Sequence, residues 1–413
     1  MFVRVIFDSI LLMKLNRRIS RKLYTMPEGY DRLLHFTVIL LGLFGVVMQV
    51  SANMDSSQVT MAKLFRTTIR QMIIFVASYV GMVWTANYFS FDLIKKYFNE
   101  IVVGMGVMLL ATMLFGSIGG ARGWIRIPII GFTLQPSELA KLVMIILVAY
   151  YLGDLRRKKG DWKDAMKKPF SIFIIYFFII LIIQRDFGSA MVLMLITAVC
   201  CLIPTNEILK PGQRLILLLL VAFIALMYFL LSDAGMVVLD KLPALKYQVV
   251  RFKAANNPFT NRYGTGYYDL VNSLIAFNTG GWKGVGLGKS LRKYGYISAA
   301  ESDFIMAVVV EELGVLGFLF VLICYIIIVY SFFKYAYRVE SERGKIVIIG
   351  SAMYYMIHFF FNLGGVTCLI PLTGIPLLLV SSGGTSSLAA MACVGIVQSF
   401  ICKQNRKVHF KGN

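Results

Sequence analysis

Residues 292–317 read RKYGYISAAESDFIMAVVVEELGVLG, and the fold turns on the reading of this stretch. Its first half is polar and loop-like. From Phe304 onward it becomes apolar without a break, which predicts a helix entering a membrane. Asp303 is the last residue before that apolar run. It stands where water ends and hydrocarbon begins, either as a helix cap or as a reactive carboxylate. Glu311 and Glu312 follow eight and nine residues later. At the helical rise they lie roughly 12 Å deeper. They read either as structural partners of polar groups in a helix bundle or as functional acids.

The rest of the chain fits a membrane setting. It has 413 residues, 58% of them hydrophobic and 15% charged, with a mean hydropathy of +0.74. These values exclude an ordinary soluble domain. Apolar runs lie at 33–52, 71–90, 99–116, 137–154, 169–184, 187–204, 213–232, 304–333, 346–368 and 376–402. Most approach the ~20 residues that a crossing helix needs. The expected class is all-α, a polytopic integral membrane protein of about ten transmembrane helices with one large extracellular loop. The net charge of +21 does not indicate nucleic acid, because the Lys and Arg residues cluster between apolar runs. Cys200, Cys201, Cys324, Cys368, Cys393 and Cys402 lie in or at the ends of spans, with no CxxC pair. A disulfide framework or thiolate zinc site is therefore not expected. His35, His358 and His409 are too scattered for a metal site, and His358 inside a span reads as a packing residue.

Charge orients the chain. Residues 1–32 form a basic amphipathic segment, read as an interfacial helix on the cytoplasmic face. With both termini inside, inner segments carry 26 basic residues and outer segments 15. Nine of the outer ones sit in the loop 233–303, where the rule weakens. The membrane domain then spans 33–402 and a cytoplasmic tail covers 403–413. Asp303 faces outward at the end of the only large outer loop, and long ordered loops are usually functional. QRDFG, residues 184–188, makes a tight outer turn presenting Gln184, Arg185 and Asp186. It reads as a polar hairpin tip or a binding element.

Two further stretches could carry chemistry. GGWKGVGLGKS, residues 280–290, looks like a phosphate loop, but Lys283 stands where that pattern needs glycine. The segment also lies outside the cell, away from ATP. Lys283, Lys289, Arg292 and Lys293 still supply anion-binding charge on a Gly-rich turn. GARGWIRIPIIGFTLQPSELAKL, residues 120–142, flanks Trp124 with Arg122 and Arg126, as at a lipid headgroup layer. Pro136 suits a helix start. Glu138 suits the positive end of the helix dipole and Lys141 does not. The two are one turn apart and could pair locally, or Lys141 could face a carboxylate of another span. A boundary carboxylate, a lysine in the outer membrane half and a basic loop suit a lipid-tailed diphosphate with a polar head. General-base attack by a hydroxyl needs one carboxylate and cationic stabilisation of the leaving diphosphate.

At these residues the chain resembles the SEDS family, which includes FtsW, RodA and SpoVE. The resemblance runs from YDRLLHFTVILLGLFGVVMQVSA to the last span. It is carried by GARGWI with QPSELAKL, QRDFGSA, YQVVRF followed by NP, GTGYYDLVNSLIAFNTGGWKGVGLGKS, ESDFIMAVVVEELGVLG and PLTGIPLLLVSSGGTSS. It implies a ten-span fold that polymerises lipid II into glycan strands with a class B penicillin-binding protein. It maps the family's key aspartate onto Asp303 and its key lysine onto Lys141. Asp303 would deprotonate the 4-hydroxyl of the GlcNAc on incoming lipid II. That oxygen would attack the anomeric carbon at the strand's reducing end, and undecaprenyl diphosphate would leave. Substrate contacts are expected from Arg122, Arg126, Gln135, Ser137, Glu138, Asp186, Gln248, Arg251, Asn272, Ser273, Lys283, Lys289, Ser290 and Glu301.

The chain departs from the family pattern in places. Ser298 to Phe304 replace the usual Pro-Glu-x-x-Thr-Asp-Phe, so a proline and an acid are missing while Glu301 supplies another acid. Arg185 replaces the proline of QPD, and IPLLLVSSGGTSS lacks a proline and a tyrosine. No cofactor or metal site is implied with certainty, and a divalent cation beside a second acid stays open. GVVMQVSA and the serine before Asp303 favour the FtsW/SpoVE side. Expected partners are lipid II, the undecaprenyl-diphosphate-linked glycan, membrane lipids and the class B protein. The setting would be the bacterial cytoplasmic membrane. Two other readings remain: a lipid II flippase without chemistry, and a non-catalytic scaffold of the cell-wall complex. A flippase needs a midplane site reachable from both sides, whereas the polar groups here gather on the outer face.

Overall fold

A computed structural model of the chain describes residues 25–54, 61–117, 120–127, 132–155, 161–241, 246–261, 264 and 266–411. All but the last few residues of the amphipathic segment expected over 1–32 lie outside them. Each apolar run carries a helix: α1 Arg32–Ala52, α2 Met61–Tyr88, α3 Phe98–Ala111, α4 Pro136–Leu152, α5 Trp162–Phe178, α6 Phe187–Leu202, α7 Lys210–Leu230, α8 Ile305–Arg338, α9 Glu342–Val366 and α10 Gly384–Lys411. Among the described residues, seven helices are long and apolar enough to cross a membrane, and the helices at Phe98–Leu114 and Phe187–Leu202 are shorter. The protein is a multi-pass membrane protein. A hairpin of β1 Ile125–Ile127 and β2 Phe132–Leu134 precedes α4, antiparallel, with Arg126 opposite Thr133. The loop 233–303 contains the helices Asp233–Asp240, Lys246–Asn256 and Tyr268–Gly280.

The bundle centre is α4, α6, α8, α9 and α10, whose facing residues are almost wholly buried. Helix α7 is the opposite case. Its apolar side chains, Leu217, Leu218, Val221 and Ile224 among them, point outward. An apolar surface of that size belongs against lipid tails rather than water. Ends are capped as the sequence suggests. Asp31 Oδ1 accepts from the Leu34 amide at 2.9 Å, and Asp186 Oδ1 accepts from the Ser189 amide at 2.9 Å.

Two expectations fail. The run 376–402 is not helical throughout: residues 371–383 are irregular and α10 starts at Gly384. Pro371 and Pro376 lack the amide hydrogens a helix needs, and Gly374 (φ 72°) and Leu379 (φ 67°) turn the chain left-handed. Ile375 and Leu377 to Val380 are nonetheless buried. Irregular backbone inside a membrane bundle must be satisfied by protein. Side chains from the helices do so here. Asn362 donates to Ile375 O at 2.9 Å, Tyr325 to Leu378 O at 2.8 Å, and Gln49 to Val380 O and Ser381 O at 2.9 and 3.0 Å.

The second failure is α8, expected as unbroken. At Gly314 (φ 67°, ψ −161°) its helical path is interrupted. The carbonyls of Glu311 and Glu312 instead receive the amides of Val285 and Gly286, both at 2.9 Å, and Val315 N donates to Gly281 O at 2.9 Å. Loop 281–286 is thus stitched into the break. A Cβ on Gly284 or Gly314 would collide with that opposing backbone.

Candidate active site

Asp303 sits in the turn 298–304, ahead of α8. The residue at the cap position is Phe304, with no side-chain cap hydrogen bond. The capping explanation for Asp303 therefore falls. The turn is held from three sides by its backbone. Asn362 Nδ2 donates to Asp303 O at 2.8 Å, Ser381 Oγ to Ser302 O at 2.6 Å, and Ser382 N to Glu301 O at 2.7 Å. Ser298 is tied through its amide and hydroxyl to the Asp269 carboxylate at 2.9 and 2.6 Å. The contacts of Asn362, Ser381 and Ser382 reach the turn through its backbone rather than through the Asp303 carboxylate. Its Oδ2 lies 3.3 Å from where a Cβ on Gly374 would be.

Burial pushes the Asp303 carboxyl up to about 6. The Arg251 guanidinium and a hydrogen bond from Ser302 work against that rise, while the charges of Asp186 and Glu301 add to it. Such a carboxylate is ionised at neutral pH yet basic enough to accept a proton, as a general base requires.

Lys141 is buried completely, with Glu138 at 1% exposure. Its Nζ lies 2.6 Å from Glu138 Oε1 and 3.3 Å from His358 Nε2. Glu138 Oε2 accepts from Tyr354 OH at 3.0 Å, and His358 Nδ1 lies 3.0 Å from Pro376 O. The lysine's carboxylate partner is therefore the residue one turn earlier on α4, not an acid of another span. The cation beside Asp303 is Arg251. Lys141 and Asp303 meet the same irregular segment at different points: Lys141 through His358 at Pro376, Asp303 through Asn362 at Ile375.

Residues 31–406 match the family model for FtsW, RodA and SpoVE, described as a cell cycle protein. The chain belongs to this family. It is 32% identical over 382 residues to the Bacillus subtilis (strain 168) protein named "Probable peptidoglycan glycosyltransferase FtsW", covering 90% of each chain. The protein of that name from Alcanivorax borkumensis is 31% identical over 379 residues, covering 89% of this chain and 92% of that one. Two solved structures share the fold. One comes from work titled as the structural coordination of polymerization and crosslinking by a peptidoglycan synthase complex. It has a TM-score of 0.66 at 19% identity, over 92% of this chain and 99% of that one. The other is the rod shape determining protein RodA of Thermus thermophilus. It has a TM-score of 0.60 at 19% identity, over 91% and 97%.

Within this family member the residues singled out in the sequence fall into separate groups. Near Asp303 lie Arg251, Asp186 and Glu301. Gln135 joins them, because its Nε2 donates to Asp186 Oδ2 at 3.0 Å and its amide to Thr385 Oγ1 at 2.9 Å. Ser137 is buried against Ser189 at 3.4 Å. Arg122 and Arg126 are exposed. The side chain of Gln248 lies outside the described residues.

The basic loop 280–293 instead packs on α8. Glu312 pairs with Lys293 at 2.8 Å and accepts from Ser51 at 2.7 Å, all buried. Glu311 receives the Ser290 hydroxyl and the amides of Leu291 and Arg292, both at 3.3 Å. Arg292 Nη1 donates to Asn272 Oδ1 at 3.0 Å. Ser273 is buried and donates to Val366 O at 2.8 Å. Lys283 and Lys289 are exposed. Glu311 and Glu312 thus hold the broken helix together. Lys141, Asp303 and this loop each have their own neighbours: Lys141 has Glu138 and His358, Asp303 has Arg251 and Ser302, and the loop has Glu311 and Glu312.

Asn362 and Gly374 were not read from the sequence as part of the site. An amide inside an apolar span was the available signal for the first, and a glycine between two prolines for the second. Among the described residues no three His, Cys, Asp or Glu side chains gather to hold a metal ion.

Proposed function

We propose that this protein polymerises lipid II at the outer face of the cytoplasmic membrane, with Asp303 as general base. As a member of its family it is a peptidoglycan glycosyltransferase. The observation that carries the mechanism is the Asp303 side chain. It is poised near pH 6, beside Arg251, on a turn that Asn362 and Ser381 hold by its backbone carbonyls. In the forward step Asp303 takes the proton of the acceptor sugar's 4-hydroxyl. The oxygen forms a bond to the anomeric carbon of the strand's terminal sugar. The bond from that carbon to the undecaprenyl diphosphate oxygen breaks, and the electron pair leaves with the diphosphate. Arg251 and the exposed basic residues of the outer loops supply cationic charge for that leaving group.

Lys141 has a different part in this reading. With Glu138, His358 and Tyr354 it fixes Pro376, and so the segment that carries Gly374 beside Asp303. It is a positioning residue. Both termini are assigned to the cytoplasm from the distribution of basic residues. A class B penicillin-binding protein is the expected partner, and the match to FtsW-named relatives favours a role in division.

The experiment is polymer formation from lipid II by the purified protein with and without a co-expressed class B partner. The expected result is weak polymerisation alone and a clear gain in the complex. Transbilayer movement of lipid II without polymer, in sealed vesicles containing the complex, would support the flippase reading instead.

A further inference from the structure

Helix α8 is longer than a crossing requires, and only part of it faces outward. It has 34 residues, against the ~20 that cross a bilayer. Its exposed large apolar side chains begin at Leu316 and recur in steps of three and four residues, through Ile323 and Tyr330, to Tyr337. That spacing puts them on one stripe of the helix. None lies before the break at Gly314, and residues 305–312 are all buried. At the helical rise the stripe measures roughly 32 Å, close to the ~30 Å of a hydrocarbon core. Its far end carries Tyr337, 92% exposed, beside the exposed Arg338. An aromatic ring next to a basic residue is the signature of a membrane interface. The near end, Leu316, therefore marks the opposite boundary of the hydrocarbon.

Loop 281–293 stands at that boundary. The amide of Leu316 donates to Trp282 O at 3.4 Å, that of Val315 to Gly281 O at 2.9 Å, and that of Gly286 to Glu312 O at 2.9 Å. Leu291 N donates to the Glu311 carboxylate at 3.3 Å. The loop is thus tied to α8 at Leu316 and no more than five residues before it. Its outward side chains have an interfacial composition. Trp282 is 73% exposed, Leu287 54% and Leu291 65%, more apolar surface on one short loop than water favours. Lys283 and Lys289 are exposed among them. Among the described residues neither lysine has a hydrogen bond or an ion pair. The loop's other two cations are occupied, Lys293 by Glu312 and Arg292 by Asn272. An indole at headgroup level, leucines at the acyl boundary and ammonium groups on lipid phosphates is the arrangement such side chains take at a bilayer surface.

We propose that loop 282–291 rests on the outer leaflet. Trp282, Leu287 and Leu291 enter the boundary of the acyl chains, and Lys283 and Lys289 sit on the phosphates of anionic phospholipids. Only the choice of leaflet rests on the orientation assigned above. Because the loop is stitched into the break of α8, it fixes how far the buried segment 305–313, and the turn bearing Asp303, stand beyond the hydrocarbon. Both lysines lie at the Leu316 end of that segment, not at its Asp303 end. Arg122, Arg126 and Arg251 remain for the leaving diphosphate.

The test uses the co-expressed complex in nanodiscs. Tryptophan fluorescence of the wild type less that of Trp282→Phe isolates Trp282. The nanodiscs contain phosphatidylcholine brominated on the acyl chain either just below the headgroup or near the chain end. Shallow bromines are expected to quench Trp282 severalfold more than deep ones, and aqueous acrylamide only weakly. With the shallow bromines on phosphatidylglycerol, in a phosphatidylcholine background, quenching should rise severalfold at low salt. Lys283→Gln with Lys289→Gln should abolish that rise and leave the depth profile unchanged. Both lysines are exposed, so this variant folds. Quenching by acrylamide without quenching by lipid would overturn the proposal, as a loop standing in water. Equal quenching by deep and shallow bromines would overturn it as a re-entrant loop, and protection from every quencher as a surface covered by the partner protein. Equal quenching by the two headgroups in the wild type would overturn the anionic site. So would loss of the phosphatidylglycerol preference on adding lipid II, which would assign the lysines to the substrate's diphosphate. Polymerisation enters none of these measurements, so failure of the glycosyltransferase reading would leave them intact.

Discussion

Lowering the pH should titrate Asp303 and switch the enzyme off along a curve set by its surroundings. The carboxyl stands at about 6 rather than its ordinary 3.8. A general base must be ionised, so the active fraction is roughly nine-tenths at pH 7, half at pH 6 and about a tenth at pH 5. The same shift acts on stability with a definite sign. A folded-state value above the unfolded one means that the fold favours the protonated form. Its stabilising contribution is complete below about pH 4 and is lost as pH rises through about 6. Two pH units correspond to an upper limit of ~3 kcal/mol. The assay is initial-rate polymerisation of lipid II by the complex from pH 5 to 8, with thermal unfolding in the same buffers. A limb of kcat/KM near pH 6, with this group opposing stability above it, is expected. A rate flat down to pH 4.5 would refute the assignment of Asp303 as base.

Further outcomes follow from individual contacts. Arg251→Gln removes the attraction that holds Asp303 down, so the acid limb should move to higher pH while neutral-pH activity falls. Lys141→Ala strands Glu138 in the bundle interior and should cost roughly 3–5 kcal/mol, read as a lower Tm. Lys141→Met with Glu138→Leu should recover much of that loss and, for a positioning lysine, part of the activity, whereas a lysine acting on substrate would leave the double variant inactive at the recovered Tm. Gly374→Ala places a methyl 3.3 Å from Asp303 Oδ2 in a left-handed position, at about 1–3 kcal/mol. Polymerisation should fall more than stability does.

Much of this architecture was legible in the sequence. Long apolar runs show up in composition alone, and the helices α1 to α10 fall on them. Asp303 was visible because a carboxylate at the start of an apolar run is costly and so conspicuous. Three things were hidden. Residues 376–383 are as apolar as a span, and hydropathy reports burial rather than hydrogen bonding. Only Pro371, Gly374 and Pro376 marked the break. The interruption of α8 at Gly314 depends on loop 281–286, some thirty residues earlier, which no local pattern reveals. The partner of Lys141 was ambiguous because spacing permits both an intrahelical and an interhelical carboxylate. Packing chose Glu138, and left Arg251, from the loop helix Lys246–Asn256, to meet Asp303.

The most direct measurement is lipid II polymerisation by the Asp303→Asn complex. Partner content, protein level and lipid II binding are matched to wild type. Asparagine keeps the shape of the side chain, and the backbone contacts of Asn362, Ser381 and Ser382 do not depend on the carboxylate. The fold should therefore persist, at equal or higher Tm at pH 7.5, while polymer formation falls by roughly 10²-fold or more. A folded Asp303→Asn complex that polymerised lipid II at close to the wild-type rate would contradict the mechanism.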